Sequence, residues 1–585
     1  MATPTELAEA KYVIETTATP YTEKDQISGD HSNEDADQTV DTDFQKGVQE
    51  IEAVTIVWSK GSMIAAFAMM WIIYFVQGLA GSVGGALLPY VTSAFAMHSL
   101  TATTGVVSAI IGGISNLSIA KILDVFGRPQ GFFIAAVIAT IGLIMSAACT
   151  NVEMYSASQV FYTIGMNGIG YSMSVFIADS TTLHNRGLVQ ALTSSPGMIT
   201  VWIGGPISTA FLAGSGWRWA FGMLSILVPA VTAPLFVLFT YRFIQAKRRG
   251  LVPACDSGRT TLQSLHYYAQ EFDLIGLICL SAGVAFFLLP FNLYTQQAKG
   301  WGSALTISFL VVGIVLLIAF APWERFGAKK SLVPWALLKD RTVLGASLAS
   351  FTLFLSYGCW NAYFTSILQV VNNLSVSDAS YIMAGYTVCS TISAILTGVV
   401  MSITGRFKAI TLYVSLPLMI LGTGLLIHFR RPDGKVGYVV MSVLFMAAGS
   451  GISTMTIEIA ILAAMKTQQF FAIAIALVST TGSIGLAVGL TISSAIWQQT
   501  FPTRLAAYLP EEDMPNYVMI YADITMQLAY PPGTPTRLAI QKAYGDSQKY
   551  LFIAATCAWA LAVVGTLMWK DINIKVMKQT KGRVI

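Results

Sequence analysis

Fourteen apolar runs, each close to the length that crosses a bilayer, constrain this chain more than any other feature. A helix needs about 20 residues to span the hydrocarbon core. Open sheets and irregular loops cannot face lipid, because their backbone polar groups would stay unpaired. We therefore predict an all-α membrane protein with fourteen transmembrane helices. The runs are 61–81, 102–123, 131–150, 154–177, 188–213, 219–241, 272–293, 303–321, 342–370, 379–403, 409–428, 436–465, 471–497 and 550–569.

The composition excludes a soluble domain and offers no obvious catalytic centre. Charged residues make up 11% of the chain, whereas soluble domains average about 25%. The six cysteines and five histidines are scattered without paired or clustered spacing. We therefore expect no disulfide framework, metal site or cofactor, and the absence of a nucleophile–base pattern indicates that the chain is not an enzyme.

A short charged turn occurs twice, and its spacing divides the chain into related halves. The first copy, 120–131, reads AKILDVFGRPQG, and Gly398–Arg406 repeats its pattern 278 residues later, with Ser402 where the first copy has Asp124. This offset pairs runs 1–6 with runs 9–14 and leaves runs 7 and 8 as an inserted pair. A 6+2+6 arrangement with two pseudo-symmetric bundles follows.

Domain boundaries and orientation follow from the distribution of charge. Residues 1–60 hold thirteen acidic residues against four lysines and no apolar periodicity, which predicts a disordered acidic cytosolic tail. With this tail inside, cytosolic turns and the carboxyl tail carry 21 of the 34 Lys and Arg residues and the outer loops carry nine, so both termini are expected in the cytosol. The predicted units are the tail 1–60, a six-helix bundle 61–241, a linker with helices 7–8 at 242–341, a second bundle 342–569 and a basic cytosolic tail 570–585.

One loop is too long to serve only as a connection. Residues 498–549 form a predicted extracytosolic loop that is rich in Pro, Tyr and acidic residues. It either helps to capture the ligand, with Tyr521, Tyr530 and Tyr544 as candidate contacts, or it only covers the last two helices.

Several stretches, in order along the chain from about residue 55 to the end, resemble the fungal siderophore–iron transporter branch of the major facilitator superfamily, and most of all its MirB-type hydroxamate carriers. Besides the turn at 120–128, they are IADSTTLHNRGL (177–188), GWRWAFGM (216–223), EFDLIGLICLSAGVAFFLLPFNL (271–293), LLKDRTVLGA (337–346), WNAYFTSILQVVNNLSVSDASYI (360–382) and AYPPGTPTRLAIQKAYG (529–545). The resemblance implies a major facilitator fold and import of ferric hydroxamate siderophores, such as triacetylfusarinine C, by proton symport with alternating access. It also implies that helices 1, 4, 9 and 12 line a central cavity.

The polar faces of these four helices supply the candidate substrate-binding residues. They are uncharged and rich in aromatic and amide groups, which suits a bulky, nearly neutral ligand with carbonyl groups. A ferric trihydroxamate already fills the six positions of its iron, so its carrier needs no metal ligands. The alternative for each residue is packing or hydrogen bonding between helices. The candidates are Trp71, Tyr74, Gln77, Tyr162, Asn167, Tyr171, Tyr357, Trp360, Asn361, Phe364 and Thr454.

Glu458 is the most informative acid of the chain. It lies eight residues before Lys466, about 12 Å along a helix, and therefore inside the hydrocarbon region. An ionised carboxylate there costs at least about 2.5–3.5 kcal/mol. We predict that Glu458 carries the coupling proton; the alternative is a structural carboxylate held by Ser453, Thr454 or a neighbouring helix.

Four charged residues at the cytosolic ends of helices 2–5 are the predicted gating residues. The family resemblance implies that Asp124, Arg128 and Asp179 form a charge network that latches the two halves, with Arg186 beside it. Exposed ion pairs contribute only about 0–1 kcal/mol, so the latch has to be partly buried.

Two other functions stay open at this point. The Gly-Pro pattern at 204–206 resembles drug/proton antiporters, although Val201, Thr209 and Ala210 depart from it. A non-transporting siderophore or nutrient sensor would signal through its acidic tail. We expect a monomer in the bilayer that has a ferric siderophore and protons as partners and binds no nucleic acid. The expected location is the plasma membrane or endosomal vesicles.

Overall fold

A computed structural model describes most of the chain from Trp58 onward. It covers residues 58–95, 101–181, 183–250, 273–294, 299–329, 335–431, 434–465 and 471–574, together with a few single positions between these ranges. Residues 1–57 of the predicted tail and most of residues 251–272 in the predicted linker lie outside the described residues. Within the described part the secondary structure is helical and contains no β-strand.

Fourteen helices of this part are long and apolar enough to cross a membrane, which confirms the predicted number. Five of them are interrupted by turns or by π-helical segments. The helices are α1 (Lys60–Ala94), α2 (Thr101–Phe126), α3 (Arg128–Ala148), α4 (Val152–Ser180), α5 (Leu183–Ser194 and Gly197–Ala213), α6 (Trp217–Arg248), α7 (Leu274–Leu288 and Pro290–Leu293), α8 (Ala304–Pro322, then Trp323–Gly327), α9 (Arg341–Asn361 and Phe364–Val370), α10 (Val376–Thr404), α11 (Lys408–Ile410, Thr411–Ser415 and Leu416–Phe429), α12 (Val436–Ala463), α13 (Phe471–Tyr508) and α14 (Pro535–Met568).

The duplicated turn has its backbone geometry set by glycine in both copies. Gly127 separates α2 from α3 with φ of 100°, and Gly405 ends α10 with φ of 72°. Backbone with positive φ strains any residue that carries a Cβ. Pro129 then stands in the first turn of α3, where its missing N–H removes no helical hydrogen bond.

The two six-helix halves repeat one pattern of helix contacts. In the first half, α3 packs on α4, α2 on α4, and α1 on α5 and α6. In the second half, α11 packs on α12, α10 on α12, and α9 on α13 and α14. Each of these contacts in the first half has a counterpart in the second half, between the helices that lie eight positions later in the chain. This correspondence agrees with the pairing that the repeated turn predicted.

The two halves meet through two matching helix pairs, α2 with α13 and α5 with α10. Thr480 of α13 donates to the carbonyl of Gly113 at 2.9 Å, and the hydroxyls of Thr209 and Ser377 lie 3.2 Å apart. The glycines of α5 permit close packing: a Cβ on Gly205 would lie 2.9 Å from Cβ of Ser380. In this structure the Gly-Pro segment therefore serves as a packing surface.

The inserted pair α7–α8 lies against the seam between α2 and α13. Apolar residues of α7, including Val284 and Leu288, share one buried cluster with Val106 and Ile110 of α2. A polar contact adds to it, because Asn292 of α7 donates to Thr491 Oγ1 at 3.2 Å. The insertion thus contacts both halves.

Two helices extend beyond their apolar runs and shorten the predicted outer loop. α13 continues to Tyr508 and α14 begins at Pro535, so residues 509–534 alone form the connection, which we call the cap. The cap contains three short helical segments, Glu511–Asn516, Tyr517–Ala522 and Ile524–Ala529. Hydropathy locates the part of a helix that faces lipid, whereas the part outside is stabilised here by packing on the cap.

Candidate transport site

Helices α1, α4, α5 and α12 place four polar side chains together between the two halves. The Tyr74 hydroxyl hydrogen-bonds with Ser174 and Gln190 and lies within electrostatic range of the Glu458 carboxyl group. Gln190 Nε2 also donates to Ser174 Oγ at 2.9 Å. The sequence predicted Tyr74 and Glu458 but missed Gln190. Gln190 lies near the start of an apolar run, and no sequence pattern indicated that it faces the cavity.

The two residues considered as holders of Glu458 are engaged elsewhere. Thr454 Oγ1 donates to the carbonyl of Ser450 at 2.9 Å. The Ser453 and Ser415 hydroxyls lie 2.6 Å apart, and Ser415 itself donates to the Gly449 carbonyl at 2.6 Å. Thr454 is exposed and Glu458 is half-buried on the same helix. Glu458 belongs to the second half of the protein, and Tyr74, within its electrostatic range, belongs to the first.

Two further predicted residues of α1 contact neighbouring helices of the first half. Trp71 Nε1 donates to Ser195 Oγ of α5 at 3.2 Å, and Gln77 Nε2 donates to the Met166 carbonyl of α4 at 2.9 Å. These side chains hold α1 beside α4 and α5 at the level of Tyr74.

The predicted residues of α4 lie in three different environments. Tyr162 is half-buried and lines a cavity near the cap side of the helix. Asn167 is half-buried and lies against Gly112 of α2. Tyr171 is buried in an apolar cluster that also contains Leu117 of α2 and Phe471 of α13. Helical periodicity grouped Asn167 and Tyr171 on one face, but the neighbouring helices bury Tyr171 more completely than Asn167.

The predicted face of α9 forms an aromatic cluster within the second half. Tyr357 and Trp360 meet edge to face at 5.3 Å, and Trp360 meets Phe364 in the same way at 5.2 Å. Trp360 and Phe364 are 3% and 1% exposed and belong to a core with α10, α11, α12 and α14. Asn361 is half-buried and ends the first segment of α9.

Tyr386 of α10 completes this cluster, and the sequence did not identify it. Its ring lies 6.1 Å from Tyr357 and 5.7 Å from Trp360, and its hydroxyl hydrogen-bonds with Ser450. No regular spacing links a residue of α10 to α9, so only the packing of the helices shows this neighbourhood.

The predicted gating residues are partly described. Arg128 and Asp179 form an ion pair, with Nε 3.4 Å from Oδ2, at the end of α3 and α4 that is opposite the cap. The backbone of Asp124 and Arg186 is helical, but their side chains lie outside the described residues. In the second copy of the turn, Lys408 Nζ donates to the Leu567 carbonyl at 3.0 Å and to the Trp569 carbonyl, so this copy fixes the end of α14.

The three tyrosines predicted in the outer loop have different surroundings. Tyr544 is buried, and its hydroxyl donates to Gln527 Oε1 at 2.7 Å. Tyr530 donates to Asp513 Oδ1 at 3.1 Å; partial burial and this bond raise the pKa of Tyr530 above its ordinary value. Tyr521 is half-buried and stacks on Phe501 with ring centres 6.1 Å apart.

A buried arginine fastens the cap to the second half. The Arg537 guanidinium, at the start of α14, donates to the Gln527 carbonyl of the cap, to the Gln369 carbonyl of α9 at 3.3 Å and to Asn373 Oδ1 at 3.1 Å. Gln369 Oε1 also accepts a 3.1 Å hydrogen bond from Tyr90 of α1. The cap side of the molecule therefore also links the two halves.

The fold and the site define a multi-pass integral membrane protein of the major facilitator type, with two matching six-helix halves that meet at a polar cluster. The Major Facilitator Superfamily model matches residues 70–338. A bacterial homologue of the human lysosomal transporter Spinster, in an inward-facing and unoccupied conformation, superposes with a TM-score of 0.51 at 13% identity over 88% of this chain and 98% of that one.

The whole chain has similar relatives among fungal proteins. "MFS siderochrome iron transporter 1" of Ajellomyces capsulatus is 47% identical over 551 residues, which is 94% of each chain. "Siderophore iron transporter mirB" of Emericella nidulans is 40% identical over 541 residues, 92% of this chain and 89% of that one. The chain belongs to the major facilitator superfamily and, within it, to the fungal siderochrome iron transporters.

Proposed function

We propose that this protein imports ferric hydroxamate siderophores, with triacetylfusarinine C as the first trial substrate, by proton symport and alternating access. One observation carries the proposal: relatives named as siderochrome or siderophore iron transporters match more than nine tenths of the chain at 40–47% identity. Sequence similarity of this extent covers both halves, the inserted helices and the cap.

The chemistry of the site agrees with such a substrate. A ferric trihydroxamate is a bulky complex that presents carbonyl oxygens and apolar arms, and its iron needs no ligand from the carrier. Phenol and amide groups donate hydrogen bonds to carbonyl oxygens. The proposed contacts with substrate are Tyr74, Gln190, Asn167 and Tyr357, with Trp71, Gln77, Tyr162, Tyr171, Trp360, Asn361, Phe364 and Thr454 lining or supporting the cavity.

Glu458 is the proposed site of the coupling proton. It is half-buried within a membrane helix and interacts with Tyr74 across the contact of the two halves. A carboxylate is costly within the membrane unless it is paired or protonated. Protonation of Glu458 would change its interaction with Tyr74, and a change at this contact couples the proton to the relative position of the halves.

The charged turn opposite the cap is the proposed gate. Asp124, Arg128, Asp179 and Arg186 would hold the halves together on this side while the cavity opens on the cap side. The Arg128–Asp179 pair is buried but joins α3 to α4 within the first half, so the latch would also need a contact from this network to the second half. Because the second copy has Ser402 in place of Asp124, the latch would act through the first copy.

The proposed orientation places both termini in the cytosol and the cap outside, in the plasma membrane or in endosomal vesicles. The Lys and Arg distribution supports it. The cap would assist ligand capture through Tyr521 and Tyr530. We propose a monomer as the transporting unit.

Uptake of iron-labelled siderophores into a host that lacks its own siderophore uptake tests the function. The full chain should cause saturable accumulation of label, stronger at acidic external pH and abolished by a protonophore. Cells that carry the empty vector are the control. Drug resistance without iron accumulation would indicate an exporter, and neither activity at normal surface expression would indicate a sensor; either result overturns the proposal.

A further inference from the structure

A recess of about 160 Å³ opens between α1, α2 and α4 in the half of the bundle nearer the cap. Its walls include Gly81 and Gly84, about one and two turns beyond Gln77, and Tyr162, one turn before Met166. The hydrogen bond from Gln77 to the Met166 carbonyl joins α1 to α4 at this level. The recess therefore lies next to the Tyr74 cluster, on the cap side of it.

The glycines that α1 contributes to the recess are not required by helix packing. A Cβ added to Gly81, Gly84 or Gly85 would meet no atom within 4 Å. Gly78 on the same helix differs, because a Cβ there would lie 2.4 Å from Thr200 Oγ1. Glycine inside a helix costs about 0.5–1 kcal/mol relative to alanine. Three glycines that border open space therefore keep the recess wide and do not bring helices together.

Polar side chains of α4 form another wall of the recess. Tyr155 is 2% exposed and lines the recess. Its ring packs edge to face on Phe221 with centres 6.2 Å apart, which restricts the position of the hydroxyl. Tyr162 and Gln159 lie on the same wall. Gln159 Nε2 already donates to Ser146 Oγ at 3.2 Å, so the phenol groups of Tyr155 and Tyr162 are the donors that a carbonyl oxygen would meet here.

We propose that this recess binds one short acyl arm that the ferric hydroxamate substrate carries on an amide nitrogen outside the iron centre. The Tyr155 hydroxyl would donate to the carbonyl oxygen of this amide, which is not bound to iron, and the carbon chain would lie along Gly81, Gly84 and Gly85. The inference rests on the proposed function. The size supports an arm and not a whole complex, because a cavity of about 150 Å³ holds a molecule of the size of benzene, whereas sites for whole ligands measure about 300–1,000 Å³. The recess would thus determine which acylated siderophores are accepted.

The test compares N-acetyl and N-propionyl forms of one ferric trihydroxamate in the uptake-null host. Gly84→Val narrows the recess, and Gly424→Val on α11 is the matched control, since a Cβ on Gly424 also meets no atom within 4 Å. One methylene in a close-fitting apolar site changes specificity by about tenfold or more. We expect Gly84→Val to raise the KM ratio of propionyl to acetyl form about tenfold and Gly424→Val to leave it unchanged.

Tyr155→Phe provides a second readout that keeps the volume of the side chain. Loss of one hydrogen bond should raise KM for both acylated forms by about three- to tenfold, with surface expression unchanged. An unaltered KM ratio in Gly84→Val, or an unaltered KM in Tyr155→Phe, would contradict the proposed role of the recess. Uptake by the wild-type chain would still support the proposed function in that case. Failure of the wild-type chain to accumulate either form would overturn both the proposed function and the proposed role of the recess.

Discussion

Arg128 Nε lies 3.4 Å from Asp179 Oδ2, and only 7% and 4% of the two side chains are exposed. The pair joins the first turn of α3 to the last turn of α4, at the end of the bundle opposite the cap. A buried ion pair is weak evidence for stability, because desolvation offsets the attraction, but removal of one partner leaves an uncompensated charge. Substitution of only one of the two residues should therefore destabilise the first half.

Arg128→Met alone should destabilise the protein by about 3–5 kcal/mol, whereas Arg128→Met combined with Asp179→Leu should restore stability close to that of the wild type. Thermal unfolding in detergent, followed by the loss of the monodisperse peak in size exclusion, measures both. Lys570→Met is the control, because its pair with Asp340 is more exposed and should contribute no more than about 1 kcal/mol. Equal shifts for Arg128→Met and Lys570→Met would contradict the prediction.

Asp124→Asn should slow transport and leave substrate preference unchanged, because the proposed role of Asp124 is in the switch between conformations. Initial uptake rates for two ferric siderophores give both quantities in one experiment. Ser402→Ala at the equivalent position of the second copy is the control and should transport at the wild-type rate. A changed ratio between the two substrates in Asp124→Asn would assign Asp124 to specificity instead.

Glu458→Gln should abolish the dependence of uptake on external pH and reduce accumulation by about 5- to 150-fold, the usual range of coupling between two sites. The amide has the shape of the carboxyl group but cannot exchange a proton. Exchange of labelled for unlabelled siderophore should persist, because binding and alternation need no net proton movement. Asp378→Asn, an exposed carboxylate in the first turn of α10, should retain normal coupling. Proton-driven accumulation in Glu458→Gln would exclude this residue.

Tyr544→Phe distinguishes packing from ligand capture in the cap. Its hydroxyl donates to the fully buried Gln527, so its loss leaves an unpaired acceptor and should reduce stability by about 1–3 kcal/mol. Tyr530→Phe removes a more accessible bond to Asp513 and should have a smaller effect. A packing role predicts a lower unfolding temperature for Tyr544→Phe with an unchanged KM; a raised KM at unchanged stability would support the capture role.

The Asp340–Lys570 contact should make a small part of the stability depend on pH. Partial burial raises the pKa of Asp340, but the Lys570 ammonium and the Thr342 N–H outweigh it and hold the pKa below the ordinary 3.8. A carboxyl with a lowered folded pKa stabilises the protein above its unfolded pKa and loses this effect as the pH falls through the folded pKa. Asp340→Asn should therefore lower the unfolding temperature at pH 7, and the difference from the wild type should disappear once the pH lies below the folded pKa of Asp340.

Hydropathy and the repeated turn predicted the fold closely, because both depend on local sequence. The fourteen helices, and the pairing of each helix with the one eight positions later, agree with the structure. The site was predicted less completely. Tyr74 and Glu458 were identified, whereas Gln190 and Tyr386 were not, since their importance depends on neighbours from other helices. The sequence also could not show that Trp360 and Phe364 are buried in the core of the second half.

The sequence alone determined insertion in the membrane, the number of helices and the division into two halves, because lipid accepts only long apolar helices with internally paired backbones. The tertiary structure decided which side chains meet. Lipid and protein interior are both apolar, so hydrophobic periodicity does not distinguish the face of a membrane helix that packs from the face that contacts lipid. The neighbourhood of Tyr74 and Glu458, which are 384 residues apart, and the open space beside Gly84 therefore follow from the packing of the helices and not from the order of their residues.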